Sequence, residues 1–84
     1  MKHASQQTLD SIAKLLSEIR LLPGITEKKV GIFYKSGKAF LHFHDDPAGL
    51  FADAKVEGQN FTRFSLNSEE EIATFLGALT MKLV

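Results

Sequence analysis

One short segment of the chain holds the side chains best suited to chemistry. Residues 40–46 read FLHFHDD and place two histidines two residues apart, directly before an acidic turn. Alternate residues of a β-strand project to the same side, so His42 and His44 are neighbours on one face. Two imidazoles with one carboxylate form a ligand set that suits Zn²⁺, Fe²⁺ or Mn²⁺. The pattern predicts a transition-metal site at His42 and His44, with Asp45 or Asp46 supplying the oxygen.

The same histidine pair has two other interpretations. Imidazole titrates near neutrality, so His42 and His44 could act instead as a catalytic acid and base. Histidines on the exposed face of a strand, beside an acidic turn, also need no ligand, and a pair of this spacing arises often by chance. This simplest interpretation is a solvated or interface pair with no metal and no other cofactor. The sequence leaves enzymatic activity undecided.

Basic and aromatic side chains alternate in a second candidate segment, the hairpin from Lys28 to Lys38. Such patches bind single-stranded nucleic acid by ion pairing and base stacking. The whole chain, however, has ten Lys and Arg against ten Asp and Glu, so its formal net charge is zero. Lysines on an edge hairpin also serve solubility. Nucleic acid is therefore the weaker prediction. The basic members of the segment are Lys28, Lys29, Lys35 and Lys38.

The composition excludes several other function classes. The chain has no Cys, which rules out disulfides, thiolate zinc sites and a cysteine nucleophile. Its six Gly are scattered, so no glycine-rich phosphate loop is present, and the Gly-x-Ser-x-Gly signature is absent. The first eight residues are polar and the apolar runs are short, which predicts neither a signal peptide nor a membrane span. We expect a cytoplasmic protein.

Two helices are predicted to flank the candidate segments. The 84 residues, 44% of them hydrophobic, predict a single domain over 1–84, with residues 1–5 as a flexible tail. Apolar residues at helical spacing predict a first helix over 6–22, which Pro23-Gly24 ends. Ser68 and Glu71 form a capping box that starts the last helix.

Four strands are predicted between the helices, over 30–35, 38–44, 50–56 and 61–66, although residues 50–54 could form a helical turn instead. A two-residue turn between the first two strands predicts the pairs Val30 with Phe43, Ile32 with Leu41 and Tyr34 with Ala39. The order α-β-β-β-β-α predicts an α+β fold, in which a four-stranded antiparallel meander packs both helices on one face.

The other face of this sheet is expected to expose apolar side chains. So large an apolar area is unusual on a small monomer, and a homodimer would cover it. Our first hypothesis is therefore a homodimeric binding module without catalytic activity, whose small-molecule ligand, if it has one, the sequence does not specify. A small metal-dependent or acid–base enzyme centred on the histidines is the alternative. The expected interface residues are Phe33, Phe40, Phe51, Phe64 and Leu66.

Three segments of the chain resemble a known family. The step Pro23-Gly24-Ile25, the segment 40–45 and the strand end 64–66 before an acidic helix start are similar to the small bacterial domains labelled "luciferase domain". The resemblance covers residues 20 to 80. It differs in that Asp45 stands where the family has Gly, and the middle of the chain is shorter.

The family stretch His-x-His-Gly-Asp carries over to His42, His44 and Asp46. The resemblance thus singles out Asp46 as the acidic member of the predicted site. It implies no reaction, because the bacterial members have no assigned activity. The order of helix, meander and helix is also similar to the small YjbR-like folds.

Overall fold

Helices flank a meander of strands in the computed structural model, which describes the backbone of residues 2–3 and all of residues 6–84. The elements are β1 (Lys2–His3), α1 (Gln6–Ser11), α2 (Ala13–Ile19), β2 (Thr26–Lys29), β3 (Ile32–Lys35), β4 (Lys38–Asp46), β5 (Gly49–Glu57), β6 (Asn60–Ser65) and α3 (Glu69–Leu83). Strands β2 to β6 lie in sequence order and pair antiparallel. The predicted α+β class and antiparallel meander are confirmed.

The predicted number of four strands is wrong because the meander has five. The added strand, β2, reads TEKK, and three of its four residues are exposed. It lies at the edge of the sheet, where charged side chains are usual and apolar alternation is not required. The residues considered for a helical turn, 50–54, are part of strand β5.

The terminal segment also contributes to the sheet. Strand β1 pairs with β4 through Lys2 with Asp45 and His3 with His44. Strand β3 pairs with β4 only over residues 38–41, so β1 extends the same edge of β4. The expected flexible tail is therefore a strand at residues 2–3, and its other residues lie outside the described part of the chain.

The first predicted helix is two helices, α1 and α2, separated at Ile12, whose ψ of 24° departs from helical geometry. The apolar stripe nevertheless continues through the break, and its members are buried. The Ser68 N-cap of α3 is confirmed, since the Ser68 hydroxyl accepts a hydrogen bond from the Glu71 N–H at 3.1 Å. The Glu71 carboxylate, however, accepts from the N–H of Asn67, one residue before the N-cap position that the capping box predicts. Among the described residues, no helix is long and apolar enough to cross a membrane.

A β-bulge in β4 decides which aromatic side chains enter the core. Tyr34 pairs with Ala39, as predicted, but the next step of β3 brings Phe33 opposite Leu41. Phe40 is therefore an extra residue on β4, and such a bulge lets two successive side chains point to the same side. Both Phe40 and Leu41 are buried in the core cluster.

The bulge shows that two predicted pairs are wrong. Ile32 does not face Leu41, because Phe33 occupies that position. Val30 does not face Phe43, because Val30 lies in the turn between β2 and β3 and is 47% exposed. A two-residue turn with strict alternation predicts the register correctly only as far as the bulge.

The core lies between the sheet and the helices. The Phe43 and Phe75 rings meet edge to face with centroids 6.2 Å apart, and Phe64 packs against Phe75 at 5.2 Å. The buried stripe of α1 and α2 belongs to the same cluster. The helical segments at the two ends of the chain, α1 with α2 and α3, therefore cover one face of the sheet, as predicted, and leave the other face uncovered.

The expected interface residues are placed differently from the prediction. Phe33, Phe40 and Leu66 are buried in the core of the chain itself, and Phe64 packs against that core. Phe51 alone of the five lies on the uncovered face, where it is opposite His44 in the ladder. The bulge explains the error for Phe33 and Phe40, since it turns both toward the helices. The homodimer stays a prediction, but four of the five side chains expected at its interface do not lie on the uncovered face.

The placement of two phenylalanines on opposite faces of the sheet predicts unequal losses of stability when each is replaced by alanine. Phe33→Ala should lower the free energy of unfolding by about 3–5 kcal/mol, because it leaves a cavity in the core. Phe51→Ala, on the uncovered face, should lower it by about 1 kcal/mol. Urea unfolding followed by circular dichroism measures both values. Equal losses in the two variants would contradict the assignment of faces.

Candidate functional site on the uncovered sheet face

The two central strands bring three titratable side chains together on the uncovered face. In the ladder between β4 and β5, His42 lies opposite Asp53, and His44 lies opposite Phe51. His44 is two residues from His42, so all three titratable side chains share one face. One ligand-type atom from each of His42, His44 and Asp53 lies within 4.8 Å of the other two.

The cluster is compact and mostly shielded from solvent. Nε2 of His44 lies 3.2 Å from Oδ2 of Asp53, whose side chain is 11% exposed. The His42 and His44 rings meet edge to face with centroids 4.5 Å apart. The other side of the His42 ring packs against Phe61 at 4.7 Å. The two imidazoles are thus held by their neighbours in defined positions.

Arg63 of strand β6 completes the cluster. Its guanidinium donates two hydrogen bonds to Asp53, from Nε to Oδ1 and from Nη2 to Oδ2, both at 2.9 Å. This pairing lowers the pKa of Asp53 against the opposing effect of burial, and the nearby His44 and His42 lower it further. Asp53 therefore remains a carboxylate at neutral pH, although it is a buried residue.

This arrangement can support two kinds of chemistry. A carboxylate that contacts an imidazole nitrogen can orient the ring and stabilise its protonated form, as acid–base catalysis requires. Two imidazoles and a carboxylate can also share a metal ion. Both uses depend on the same three side chains, His42, His44 and Asp53.

The acidic member of the cluster differs from the predicted one. Asp46 is the last residue of β4, and its Oδ1 accepts a hydrogen bond from the Ala48 N–H of the following turn at 2.9 Å. Asp45 accepts a hydrogen bond from the Thr8 hydroxyl of α1 at 3.0 Å. Neither belongs to the metal-type group that His42 and His44 form with Asp53.

A predicted turn of two residues instead of five would have placed Asp53 opposite His42 from the sequence alone. The structure pairs Asp46 with Gly49, so only Pro47 and Ala48 form the turn. Counting back from that pair places Asp53 opposite His42. The predicted turn of five residues, 45–49, hides this register, because it ends β4 before Asp45.

A groove on the uncovered face begins at His42. Its volume is about 570 Å³. The ammonium of Lys28 lies 4.9 Å from the centre of the Tyr34 ring. Among the described residues, none of those that line the groove is a carboxylate. The lining consists of Lys28, Lys29, Ile32, Tyr34, Ala39, His42 and Phe61.

The predicted basic hairpin does not form one patch. Lys28 and Lys29 line the groove beside His42, whereas Lys35 and Lys38 line another cavity, of about 260 Å³. The aromatic residues in and beside this hairpin are Phe33, Tyr34 and Phe40, and two of them, Phe33 and Phe40, are buried. The lysines that would contact a single strand of nucleic acid therefore lie in two separate places. Two of the aromatic rings that would stack on its bases are buried.

Comparison with known proteins adds no assignment. No protein family, no curated protein and no solved structure matches this chain. The resemblance to the luciferase-domain and YjbR-like families stays a prediction, and the functional argument depends on the geometry of the uncovered face.

The Asp53–Arg63 pair predicts a loss of stability in acid. Because folding lowers the pKa of Asp53 below its ordinary 3.8, the pair stabilises the fold fully above that value. The stabilisation is lost as the pH falls through the lower pKa of the folded state. The free energy of unfolding should therefore fall more steeply for the natural chain than for Asp53→Asn between about pH 5 and pH 2. Urea unfolding at a series of pH values measures both slopes, and parallel slopes would contradict the prediction.

Proposed function

We propose that this chain is a binding module that holds an organic anion with a flat apolar ring in the groove beside His42. The observation that carries the proposal is the lining of that groove, which combines two lysines, a histidine and two aromatic rings on a face that the helices leave uncovered. The proposal keeps the binding module predicted from the sequence and gives it an occupant of defined chemistry.

The shape of the groove supports a small ligand. Its volume of about 570 Å³ falls within the range of roughly 300–1,000 Å³ that is usual for small-molecule sites. Phe61 is 41% exposed. A flat ring that packs against Phe61 and Tyr34 would remove apolar surface from water, and offset or edge-to-face contacts between rings would add to the affinity.

The charge of the groove supports an anion. Lys28 and Lys29 bring two positive charges to the lining. The nearby carboxylate of Asp53 does not cancel them, because Arg63 already forms a bidentate ion pair with it. A carboxylate or phosphate group on the ligand would pair with the lysines, and this part of the affinity should weaken as salt is added.

A second copy of the chain is the competing occupant of this face. The homodimer predicted from the sequence would use Phe51, and the structure adds the exposed side chain of Phe61. The lysines of the groove argue against it, because two copies that meet through this face bring like charges together. Light scattering distinguishes the two occupants, since a groove open to a ligand requires a monomer or a dimer that leaves Phe61 exposed.

Titration with 2-naphthoate tests the apolar half of the proposal. Binding followed by NMR chemical shifts should be centred on the groove and weaken about tenfold in Phe61→Ala. Phe51→Ala is the matched control, because Phe51 lies on the same face but outside the groove lining. Equal affinities of the two variants, or a dimer that shields Phe61 and excludes the ligand, would overturn the proposal.

The neutral analogue 2-naphthamide tests the charged half. We expect 2-naphthamide to bind more weakly than 2-naphthoate to the natural chain. This difference between the probes should shrink in Lys28→Gln, because the variant removes one of the two lysine charges of the groove. Lys38→Gln is the control, since Lys38 lies outside this groove. An affinity that does not depend on the charge of the probe would leave only a non-specific apolar surface and reject the anion site.

A further inference from the structure

We propose that His42, His44 and Asp53 bind a divalent transition-metal ion, and that Zn²⁺ is the ion their chemistry fits best. The inference goes beyond the anion groove, because it rests on a different observation: the three ligand-type atoms from two adjacent strands lie within 4.8 Å of one another. The site is at the end of the groove and shares His42 with it.

The backbone holds the three ligands in nearly the right place. Both strands are central in the sheet, and the His42–Asp53 pair is flanked by further paired residues on either side. Four ligand atoms around Zn²⁺ lie about 3.4 Å apart when each metal bond is about 2.1 Å long. Nε2 of His44 and Oδ2 of Asp53 are already 3.2 Å apart.

The donor atoms select the class of metal. Ca²⁺ and Mg²⁺ prefer oxygen ligands, whereas imidazole nitrogens suit Zn²⁺ and its neighbours in the transition series. Three protein ligands leave at least one position open for water or for an anion. The shared residue His42 means that such an anion would approach from the groove.

Arg63 and a metal ion would compete for the same carboxylate oxygen of Asp53. Nη2 of Arg63 and Nε2 of His44 both contact Oδ2 of Asp53, at 2.9 Å and 3.2 Å. A metal ion that takes this oxygen must displace Nη2, while Nε can continue to donate to Oδ1. The guanidinium also repels a cation at this distance. Because Arg63 is half-exposed, it can move into solvent without leaving a buried charge unpaired.

Isothermal titration of the untagged full chain with Zn²⁺ tests the site. One equivalent should bind, and Asp53→Asn should weaken the affinity at least about tenfold. Asp46→Asn is the matched control, because Asp46 is the acidic residue of the sequence prediction and lies outside the cluster. Absence of stoichiometric binding to the natural chain, or equal affinities of the two variants, would overturn the proposal.

Arg63→Gln provides a second variant whose expected effect has the opposite sign. It should bind Zn²⁺ several-fold more tightly, because it removes the competing hydrogen bond and the repelling charge. A loss of folding would weaken binding instead, so tighter binding cannot come from structural damage. Weaker binding by a folded Arg63→Gln, as judged by circular dichroism, would overturn the competition and with it the assignment of Oδ2 as a ligand.

Co²⁺ gives an independent readout of the ligand set. Its visible absorption reports the coordination geometry, and replacing an imidazole in His44→Gln should change that spectrum. Identical Co²⁺ spectra for the natural chain and His44→Gln would count against the site. The Zn²⁺ and Co²⁺ titrations are made without naphthoate, and the naphthoate titrations are made on metal-free protein. Failure of one proposal is therefore distinguished from failure of the other.

Discussion

Much of this fold depends on the single residue by which strand β4 departs from strict alternation. Without the bulge, Phe40 would pair with Phe33, and strict alternation would place both on the face opposite Leu41, away from the helices. The bulge instead places Phe33, Phe40 and Leu41 together in the core. Alternation resumes after Leu41, so Phe43 faces the helices while His42 and His44 face outward. The bulge therefore adds Phe33 and Phe40 to the core, while the histidines, which alternate with Leu41 and Phe43, stay on the open side.

The sequence predicts the features that arise from strong local signals. The N-cap at Ser68, the burial of the large apolar residues of the first helical segment and the pair Tyr34–Ala39 each depend on residues close together in the chain, and the structure confirms them. Strand β2 could not be predicted in this way, because an edge strand of charged residues lacks the apolar alternation that identifies a strand.

The candidate site was predicted in part for the same reason. The proximity of His42 and His44 follows from their spacing within one strand, whereas the position of Asp53 depends on how the neighbouring strand pairs with it. Register between strands is set by the turn, and a turn of two residues in place of five shifts every partner along the strand. The acidic residues nearest in sequence, Asp45 and Asp46, are therefore not the carboxylate that groups with the histidines in space.

Stability alone does not explain why a sheet face carries this cluster. Asp53 is buried and needs Arg63 to compensate for the loss of water, and a charge pair in such a place often contributes no more stability than well-packed apolar side chains would. The same two positions, opposite each other on β5 and β6, could hold a pair of β-branched residues that pack well in a strand. Two imidazoles held against a charged carboxylate at one end of a basic groove are, in contrast, what the proposed anion groove and metal site would require.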